Sequence, residues 1–254
     1  MVDIAFTQHA GKVHPVQQDA LWTGETCIQL QDAGTSLLTL ALPLLLAIAD
    51  GVAISPQPQL ASRFVIKHLA GIAATQGLSA RTIRDVHGAL CDRYARGKTR
   101  GSSTTLVAAY IRDAACQIIN VGDSRAYLVA ANGCWTQLSR DHTVLNDLRD
   151  ANVAEAGIAY ASMYDALSDC LIADDEEDQF SIHQRQTTLQ PGDTLLLCSD
   201  GVHDTLGDRQ LRELYDPELS LGAQVEILRE AVLRAGAPDN FSLILARQAS
   251  RQAA

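Results

Sequence analysis

Five aspartates lie beside short apolar or β-rich runs of the sequence, where a strand begins or ends. They are Asp19, Asp50, Asp123, Asp200 and Asp239. Asp50 and Asp200 each follow an apolar run long enough for a buried strand, and each opens the tripeptide Asp-Gly-Val. Asp19 and Asp239 come just before strand-like runs, and Asp123 lies at a tight turn between two of them. If the predicted sheets stack face to face, these positions meet at one edge.

Carboxylates gathered at one edge repel one another and lose solvation, so they need cations. A ligand set made only of oxygen, without Cys or His, selects the hard divalent metals Mg²⁺ or Mn²⁺. Four aspartates and two such ions balance in formal charge. Gly51 after Asp50 lets a backbone carbonyl or a bridging water approach closely. Two ions would lower the pKa of a shared water and clamp a phosphoryl group for in-line attack.

Each of these motifs also has a plainer interpretation. Asp-Gly, Gly-Asp-Ser and Pro-Asp-Asn are frequent in turns, so any one of them alone is better explained as an exposed turn. Their joint order beside predicted strands favours the metal site. The acidic run at 174–178 is interpreted as a solvated edge, with a weak cation site as the alternative.

The elements that position the aspartates are predicted from apolar periodicity and turn residues. Strands are predicted at 3–8, 20–22, 27–31, 37–49 with a break near Pro43, 103–111, 115–121, 125–129, 134–138, 179–184, 194–198 and 241–246. Helices are predicted at 59–76, 79–96, 208–214 and 220–234. Ser79 is the predicted N-cap of the second helix and Gly97 its predicted stop. The runs from 103 to 138 are interpreted as an antiparallel meander.

Strands in blocks, with helices inserted between and after them, indicate an α+β fold of antiparallel sheets with helices packed outside. The sequence shows no long linker, repeat or low-complexity tract, so 1–254 is predicted to be a single domain. Within it, the segment 141–178 is polar and is predicted to be irregular.

Composition excludes several functional classes. The formal net charge is −10, and the sequence has no Lys/Arg cluster, which argues against nucleic-acid binding. Six scattered cysteines without zinc spacing fit buried free thiols in a reducing, cytoplasmic setting. The N-terminus lacks the pattern of a signal peptide, and the apolar run 37–49 is too short to span a membrane. The sequence therefore predicts a cytoplasmic protein with no membrane partner.

Seven segments, in order along the chain, resemble motifs of the metal-dependent protein phosphatases, the type 2C serine/threonine phosphatases. They are GKVHPVQQDA (11–20), AIADGV (47–52), GSSTTLVAAY (101–110), INVGDSRAYLV (119–129), LSRDHT (138–143), LQPGDTLLLCSDGVHDTL (189–206) and PDNFSLIL (238–245). The segment 189–206 is the most specific of them. Together they extend over nearly the whole chain, which resembles a single-domain bacterial member of this family.

The resemblance implies two stacked, mostly antiparallel sheets flanked by helix pairs, in the layer order α-β-β-α. It implies two metal ions, Mn²⁺ or Mg²⁺, bridged by Asp50, with the Gly51 carbonyl supporting one of them. Asp50 and Asp200 would be the catalytic residues. The implied reaction is hydrolysis of phosphoserine and phosphothreonine in proteins, by direct attack of a metal-bridging hydroxide and without a phosphoenzyme.

The same resemblance implies roles for the other acidic residues. Asp200 and Asp239 would hold one ion. Asp19 would hold water in the shell of the other ion, and Asp123 matches a third, weaker metal site. The segment 141–178 matches the family's flap, which helps to choose substrates. The implied partners are phosphorylated Ser/Thr proteins, substrates of a cognate bacterial Ser/Thr kinase, and the expected state is a monomer.

The sequence departs from the family pattern at three places. His14 stands where a phosphate-binding arginine is usual; it either binds phosphate when protonated or is a solvent-facing loop histidine. Glutamines at 17–18 replace the usual Asn-Glu. The segment directly after Val52, AISPQPQLAS (53–62), lacks the histidine that can act as general acid in relatives. His142 and His203 are interpreted as structural residues.

These departures leave a second function open. A degenerate phosphatase would bind phosphoproteins, or regulate a kinase, without turnover. The intact set of aspartates favours an active enzyme over this alternative. Arg125 and Arg140 are expected to pair with nearby acidic residues rather than to bind substrate.

Overall fold

The computed structural model describes residues 1–155, 157–158, 160–176 and 179–248. The parts of the predicted flap, acidic run and domain that fall on 156, 159, 177–178 and 249–254 lie outside the described residues. In chain order the strands and helices are β1 Val2–His9, β2 Ala20–Trp22, β3 Cys27–Ile28, β4 Asp32–Leu40, β5 Leu44–Ala49, α1 Pro58–Gln76, α2 Ala80–Tyr94, β6 Ser103–Thr104, β7 Leu106–Arg112, β8 Ala115–Val121, β9 Arg125–Val129, β10 Trp135–Gln137, α3 Val144–Asp150, β11 Leu171–Ile172, β12 His183–Thr188, β13 Thr194–Cys198, α4 Asp200–Leu214, α5 Leu221–Arg234 and β14 Phe241–Gln248.

Two six-stranded sheets stack face to face. Sheet I has the spatial order β12-β8-β7-β5-β2-β3, and sheet II has the order β10-β9-β13-β14-β1-β4. Neighbouring strands in both sheets are antiparallel. The central strands β5 and β13 carry the two apolar runs that precede Asp-Gly-Val, and every residue in both strands is buried. Continuous apolar runs of this kind are expected where both faces of a strand are covered.

Helices cover the outer faces of both sheets. The apolar core between the sheets includes Leu46 and Ile48 of β5 and Leu197 of β13. On the outer side of sheet I, α1 and α2 pack against alternate residues of the same strands, and α4 and α5 cover sheet II in the same way. The predicted α+β sandwich in the order α-β-β-α is therefore confirmed.

The helix limits follow from local sequence. Pro58 occupies the first turn of α1, where its missing N–H costs no hydrogen bond. Ser79 caps α2 as predicted, because its hydroxyl accepts a hydrogen bond of 3.1 Å from the Thr82 N–H. The predicted stop at Gly97 is wrong: α2 ends at Tyr94, and Gly97 begins a short 3-10 turn.

The predicted meander over 103–138 is wrong in one respect. β7 and β8 pair in sheet I, whereas β9 and β10 pair in sheet II, so the chain changes sheet between 122 and 124. Gly122 makes this crossing with a φ of +92°, and a Cβ there would lie 2.7 Å from the Thr105 side chain. Asp123 therefore lies at the passage between the two layers.

Further elements differ from the prediction. The strand expected from 37 is β4, which begins at Asp32, and β3 ends at Ile28 rather than at 31. The strand expected at 179–184 is β12, which begins at His183. The helix expected at 208–214 is the second part of α4, after a kink at Gly207, whose φ of +70° and ψ of +156° are not helical; the first part, from Asp200 to the kink, was not predicted. The segment 141–178 contains the short helix α3, a 3-10 turn at Ser162–Asp165 and the two-residue strand β11, so it is less irregular than predicted. No helix of the described part of the chain is both long and apolar enough to cross a membrane.

Candidate active site

Chain direction and sheet order bring the predicted acidic residues to one end of the sandwich. Asp50 follows β5 of sheet I, and Asp200 follows β13 of sheet II as the first residue of α4. Asp19 precedes β2, Asp123 joins the two layers, and Asp239 precedes β14. The five carboxyl groups lie close enough to influence one another. Burial and, in addition, the negative charge of Asp200 raise the pKa values of Asp19, Asp50, Asp123 and Asp239. The structure thus brings together all five predicted aspartates.

Asp19 is the most deeply buried of the five, with an exposed fraction of 0%. Its Oδ2 accepts hydrogen bonds of 2.8 Å from the hydroxyls of Ser199 and Ser242. Its Oδ1 is buried and has no hydrogen-bond partner among the described residues. Burial raises the pKa of Asp19 to about 7, and the two serine hydroxyls oppose this rise. A buried carboxylate with one unpaired oxygen calls for a cation.

Asp50 is held by the strand that follows α2. The Asp50 carbonyl accepts hydrogen bonds from the Thr104 hydroxyl at 2.7 Å and from the Thr105 N–H at 2.8 Å. The Thr105 hydroxyl in turn accepts a bond of 3.1 Å from the Asp50 N–H. Burial, followed by the charges of Asp19 and Asp200, raises the pKa of Asp50 well above its ordinary value.

Gly51 has no room for a side chain. A Cβ at this position would lie 2.7 Å from the Pro58 backbone and 2.8 Å from the Gln18 carbonyl oxygen. Contacts this short exclude alanine without a backbone shift. The glycine therefore allows the start of α1 and the loop before β2 to close around Asp50.

Asp200 lies at the N-terminus of α4, where the helix dipole favours a negative charge. Its Oδ1 is buried and, among the residues described, has no hydrogen-bond partner. Asp239 lies close by, and burial followed by the charge of Asp200 raises its pKa. His14 places its Nε2 3.5 Å from Asp239 Oδ1, so the histidine contacts a predicted metal ligand.

Asp123 faces a cleft of about 600 Å³ between α3 and α4. We define the α3–α4 cleft by six of its lining residues: Asp123, Arg125, Arg149, Asp165, Asp204 and Asp208. Burial raises the pKa of Asp123 to about 7, and the negative charge of Asp200 adds to the rise. The cleft thus begins at the carboxylate cluster and extends beneath the predicted flap.

The chemistry of these side chains fits hard divalent cations. A cation would pair with the orphaned oxygens of Asp19 and Asp200 and would offset the burial that raises the carboxyl pKa values. Within the described residues, no group of three or more His, Cys, Asp or Glu side chains already has the spacing of a complete metal site. A complete coordination shell would therefore need further oxygen ligands, such as water or a backbone carbonyl.

The nearby histidines and arginines have structural partners. Nδ1 of His142 accepts a hydrogen bond of 3.0 Å from the Gly122 N–H, and burial lowers the pKa of this histidine. His203 places Nε2 3.2 Å from the Asp123 carbonyl oxygen. Arg125 and Arg140 pair with acidic residues, as predicted: Asp141 and Asp208 for Arg125, and Asp147 and Asp150 for Arg140.

Sequence reasoning missed the polar residues that fix the aspartates. Ser199 and Ser242 hold Asp19, as described above. Asn240 accepts a hydrogen bond of 2.6 Å from the Gln18 N–H and donates one of 2.6 Å to the Ala10 carbonyl. It thereby ties the loop before Asp19 to the start of β14. The only signal was their position beside the predicted ligands, in CSDG and PDNFS.

Comparison with known proteins places the chain in a family. The family model described as protein phosphatase 2C matches residues 24–235. The serine/threonine phosphatase stp of Listeria innocua is 30% identical over 145 residues, which are 57% of this chain and 56% of that protein. The serine/threonine protein phosphatase PstP of Mycobacterium tuberculosis is 29% identical over 211 residues, 80% of this chain and 40% of that protein. The chain thus matches about half the length of these curated relatives.

Solved structures agree with this assignment. The crystal structure of the Mycobacterium tuberculosis serine/threonine phosphatase PstP/Ppp has a TM-score of 0.78 at 25% identity, with 97% of this chain and 99% of that chain covered. A structure of the PstP catalytic domain in complex with two manganese ions has a TM-score of 0.73 at 24% identity, covering 97% and 99%. With the family model matching well over half of its length, the chain belongs to the protein phosphatase 2C family.

Proposed function

We propose that this protein is a serine/threonine protein phosphatase that hydrolyses phosphoserine and phosphothreonine with the help of Mn²⁺ or Mg²⁺. The observation that carries the proposal is the carboxylate cluster at the meeting of the two sheets. In particular, Asp19 and Asp200 each keep a buried oxygen without a hydrogen-bond partner among the described residues. Membership of the family and the names of its relatives support the same reaction.

Each aspartate has a proposed task. Asp50 would hold both ions of a pair, with Asp200 and Asp239 as further ligands. Asp19 would hold an ion through water, and Asp123 would contribute to a third, weaker site. When bound, divalent ions would lower the pKa of an attacking water and neutralise charge on the phosphate.

The protein's own groups would orient the reactants. The serine hydroxyls on Asp19 fix one carboxylate oxygen and leave the other without a hydrogen-bond partner among the described residues. The threonine contacts hold the Asp50 backbone in place. We propose direct attack of water on phosphorus, without a phosphoenzyme. Burial raises the pKa of the described Cys116 and Cys198 thiols, which is unfavourable for a cysteine nucleophile.

Phosphate release from a phosphothreonine peptide tests this proposal. We expect release with Mn²⁺ or Mg²⁺ and none with EDTA. Asp50→Asn and Asp200→Asn should each lower the rate by about 100-fold or more, because a lost ligand removes electrostatic stabilisation worth several kcal/mol. Asp85→Asn, at an exposed position on α2, is the matched control and should stay within about twofold. Full metal-dependent activity in both site variants would refute the assignment.

The same assay separates the binding-only alternative. A degenerate phosphatase would bind the phosphopeptide without releasing phosphate in any metal. The substrates of a cognate Ser/Thr kinase and a monomeric state remain part of the proposal. We also propose that residues 141–178 act as a flap beside the site.

A further inference from the structure

The α3–α4 cleft contains a guanidinium group without a matching negative charge. Of the two arginines that line it, Arg125 pairs with Asp141 at 2.6 Å and with Asp208 at 3.2 Å. Its charge is therefore neutralised within the protein. Arg149, in the last turn of α3, has no carboxylate within 4.0 Å among the described residues.

The hydrogen bonding of Arg149 is also incomplete. One terminal nitrogen donates to the Asn146 side-chain oxygen at 3.3 Å. Its Nε is buried and has no acceptor in the described part of the chain. A buried donor without an acceptor is costly, and a charged one more so. A ligand that brings an anionic oxygen to this position would remove that cost.

The residue at the place of the family's phosphate-binding arginine, His14, is poorly suited to bind a phosphate. His14 lies 3.5 Å from the Asp239 carboxylate and has no bidentate fork. Arg149 and Asp123 line the same cleft of about 600 Å³, so a group bound there can reach both the guanidinium and the carboxylate cluster. Arginine binds phosphate and carboxylate through parallel N–H···O bonds.

We propose that the α3–α4 cleft is a binding site for an anionic group of the substrate, with Arg149 as its specificity-determining residue. This inference rests on the proposed phosphatase function. The anionic group is a phosphate or a carboxylate. It is either the phosphate that is hydrolysed or a second acidic group beside it on the same polypeptide.

The acidic residues of the cleft argue against this proposal and support a competing hypothesis, in which the cleft binds a basic residue of the substrate. Asp141 and Asp208 are matched by Arg125, whereas Asp165 is exposed and Asp204 lies 2.9 Å from His203. If Asp165 and Asp204 dominate, the cleft selects substrates with a basic neighbour instead. The two cases predict opposite substrate preferences.

The test uses the Mn²⁺-loaded chain of 254 residues and four substrates. Three are phosphothreonine peptides that differ only in one flanking residue, which is Glu, Gln or Lys; the fourth is p-nitrophenyl phosphate, which has no flanking residue. The variants are Arg149→Gln and Arg149→Lys. Arg209→Gln is the matched control, because Arg209 is close in sequence to Asp208 but its side chain is 91% exposed and pairs with Glu213 on its own helix.

We expect Arg149→Gln to lower kcat/KM by about tenfold or more, the loss typical of a charge-assisted hydrogen bond. A loss confined to the Glu peptide assigns the site to a flanking acid, and a loss on all four substrates assigns it to the hydrolysed phosphate. Arg149→Lys should restore part of the loss, because lysine keeps the charge without the fork. Arg209→Gln should stay within about twofold, and melting temperatures should show that all variants fold.

One result overturns the inference while leaving the proposed function intact: an active wild type whose kcat/KM on all four substrates is unchanged by Arg149→Gln. A wild type that prefers the Lys peptide rejects a flanking acid as the bound group. If the wild type releases no phosphate at all, the proposed function fails instead. The same peptides then serve as calorimetric ligands. A tenfold weaker Kd in Arg149→Gln would support the site, and an unchanged Kd would reject it.

Discussion

Replacing Asp19 by asparagine should stabilise the metal-free protein at alkaline pH. Burial raises the pKa of Asp19 from 3.8 to about 7. Because the folded state then holds this proton more tightly than the unfolded chain does, the free energy of unfolding falls as the pH rises. The loss begins near pH 4, is complete above about pH 7, and amounts to about 4 kcal/mol.

Asparagine removes the ionisation but keeps most of the contacts. Its side-chain oxygen can accept from the hydroxyls of Ser199 and Ser242, as Oδ2 of Asp19 does. Its amide nitrogen takes the place of Oδ1, which has no partner among the described residues, and a buried unpaired donor costs about 2 kcal/mol. We therefore expect Asp19→Asn to be more stable than the wild type by about 2 kcal/mol at pH 8, and no more stable at pH 4.

Urea unfolding in EDTA, followed by the fluorescence of the two tryptophans, measures this difference. Comparing the two proteins at each pH cancels the titrating groups that do not interact with Asp19. Asp50, whose pKa is raised by burial and by the charge of Asp19, does not cancel, and relief of this repulsion adds to the gain at pH 8. Ser199→Ala is the control, since it removes a hydroxyl donor and keeps the carboxyl group, and it should destabilise the protein at pH 8. The reasoning is refuted if Asp19→Asn is less stable than the wild type at pH 8, or if the difference is the same at both pH values.

Two further substitutions test the packing around the site and its scaffold. Gly201→Ala should destabilise the protein by about 3 kcal/mol, because its Cβ would lie 2.0 Å from the Asn240 carbonyl oxygen. Gly71→Ala is the control and should not destabilise the protein in this way, because a Cβ there meets nothing within 4 Å. Equal urea midpoints for the two variants would contradict the prediction. Ser79→Ala should cost about 1 kcal/mol in thermal or urea unfolding, because the Thr82 N–H loses its cap, and a variant as stable as the wild type would argue against that contact.

The central strands were predictable because burial on both faces leaves a continuous apolar run. β5 and β13 are such strands, and both lie at interior positions of their sheets. β12 was not predictable, because HQRQTT is a polar edge strand with no apolar alternation to mark it. The prediction fell instead on Phe180 and Ile182, which pack against the cluster under α1 and α2.

The start of α4 was missed because two glycines obscured it. Asp-Gly at 200–201 resembles a turn, yet Asp200 opens the helix directly after β13. Gly207, with a φ of +70°, interrupts the same helix and hides its periodicity. Val202 and Leu206 of the first helical part, before Gly207, pack in the apolar cluster on sheet II, which stabilises this part as a helix.

The acidic residues of the site could be found from their order along the chain, whereas their supports could not. The serines that hold Asp19 come from separate strands, β13 and β14. Pairing of Cys198 with Leu243 sets Ser199 and Ser242 side by side. Their hydroxyls then reach an aspartate that belongs to the other sheet. No local pattern encodes a contact that needs both a strand register and the stacking of two layers.

The serine contacts also determine how the sandwich can move. Asp19 precedes a strand of sheet I, while Ser199, Ser242 and Gln8 belong to sheet II or its edge, and all three donate hydrogen bonds to Asp19. Directional bonds resist sliding, whereas the apolar core between the layers is non-directional. The end of the sandwich that carries the carboxylates is therefore held across the layers by directional bonds. At the opposite end, Gln248 of β14 donates a hydrogen bond of 3.0 Å to the Asp113 carbonyl in the turn between β7 and β8, so both ends of the sandwich resist sliding of one layer over the other.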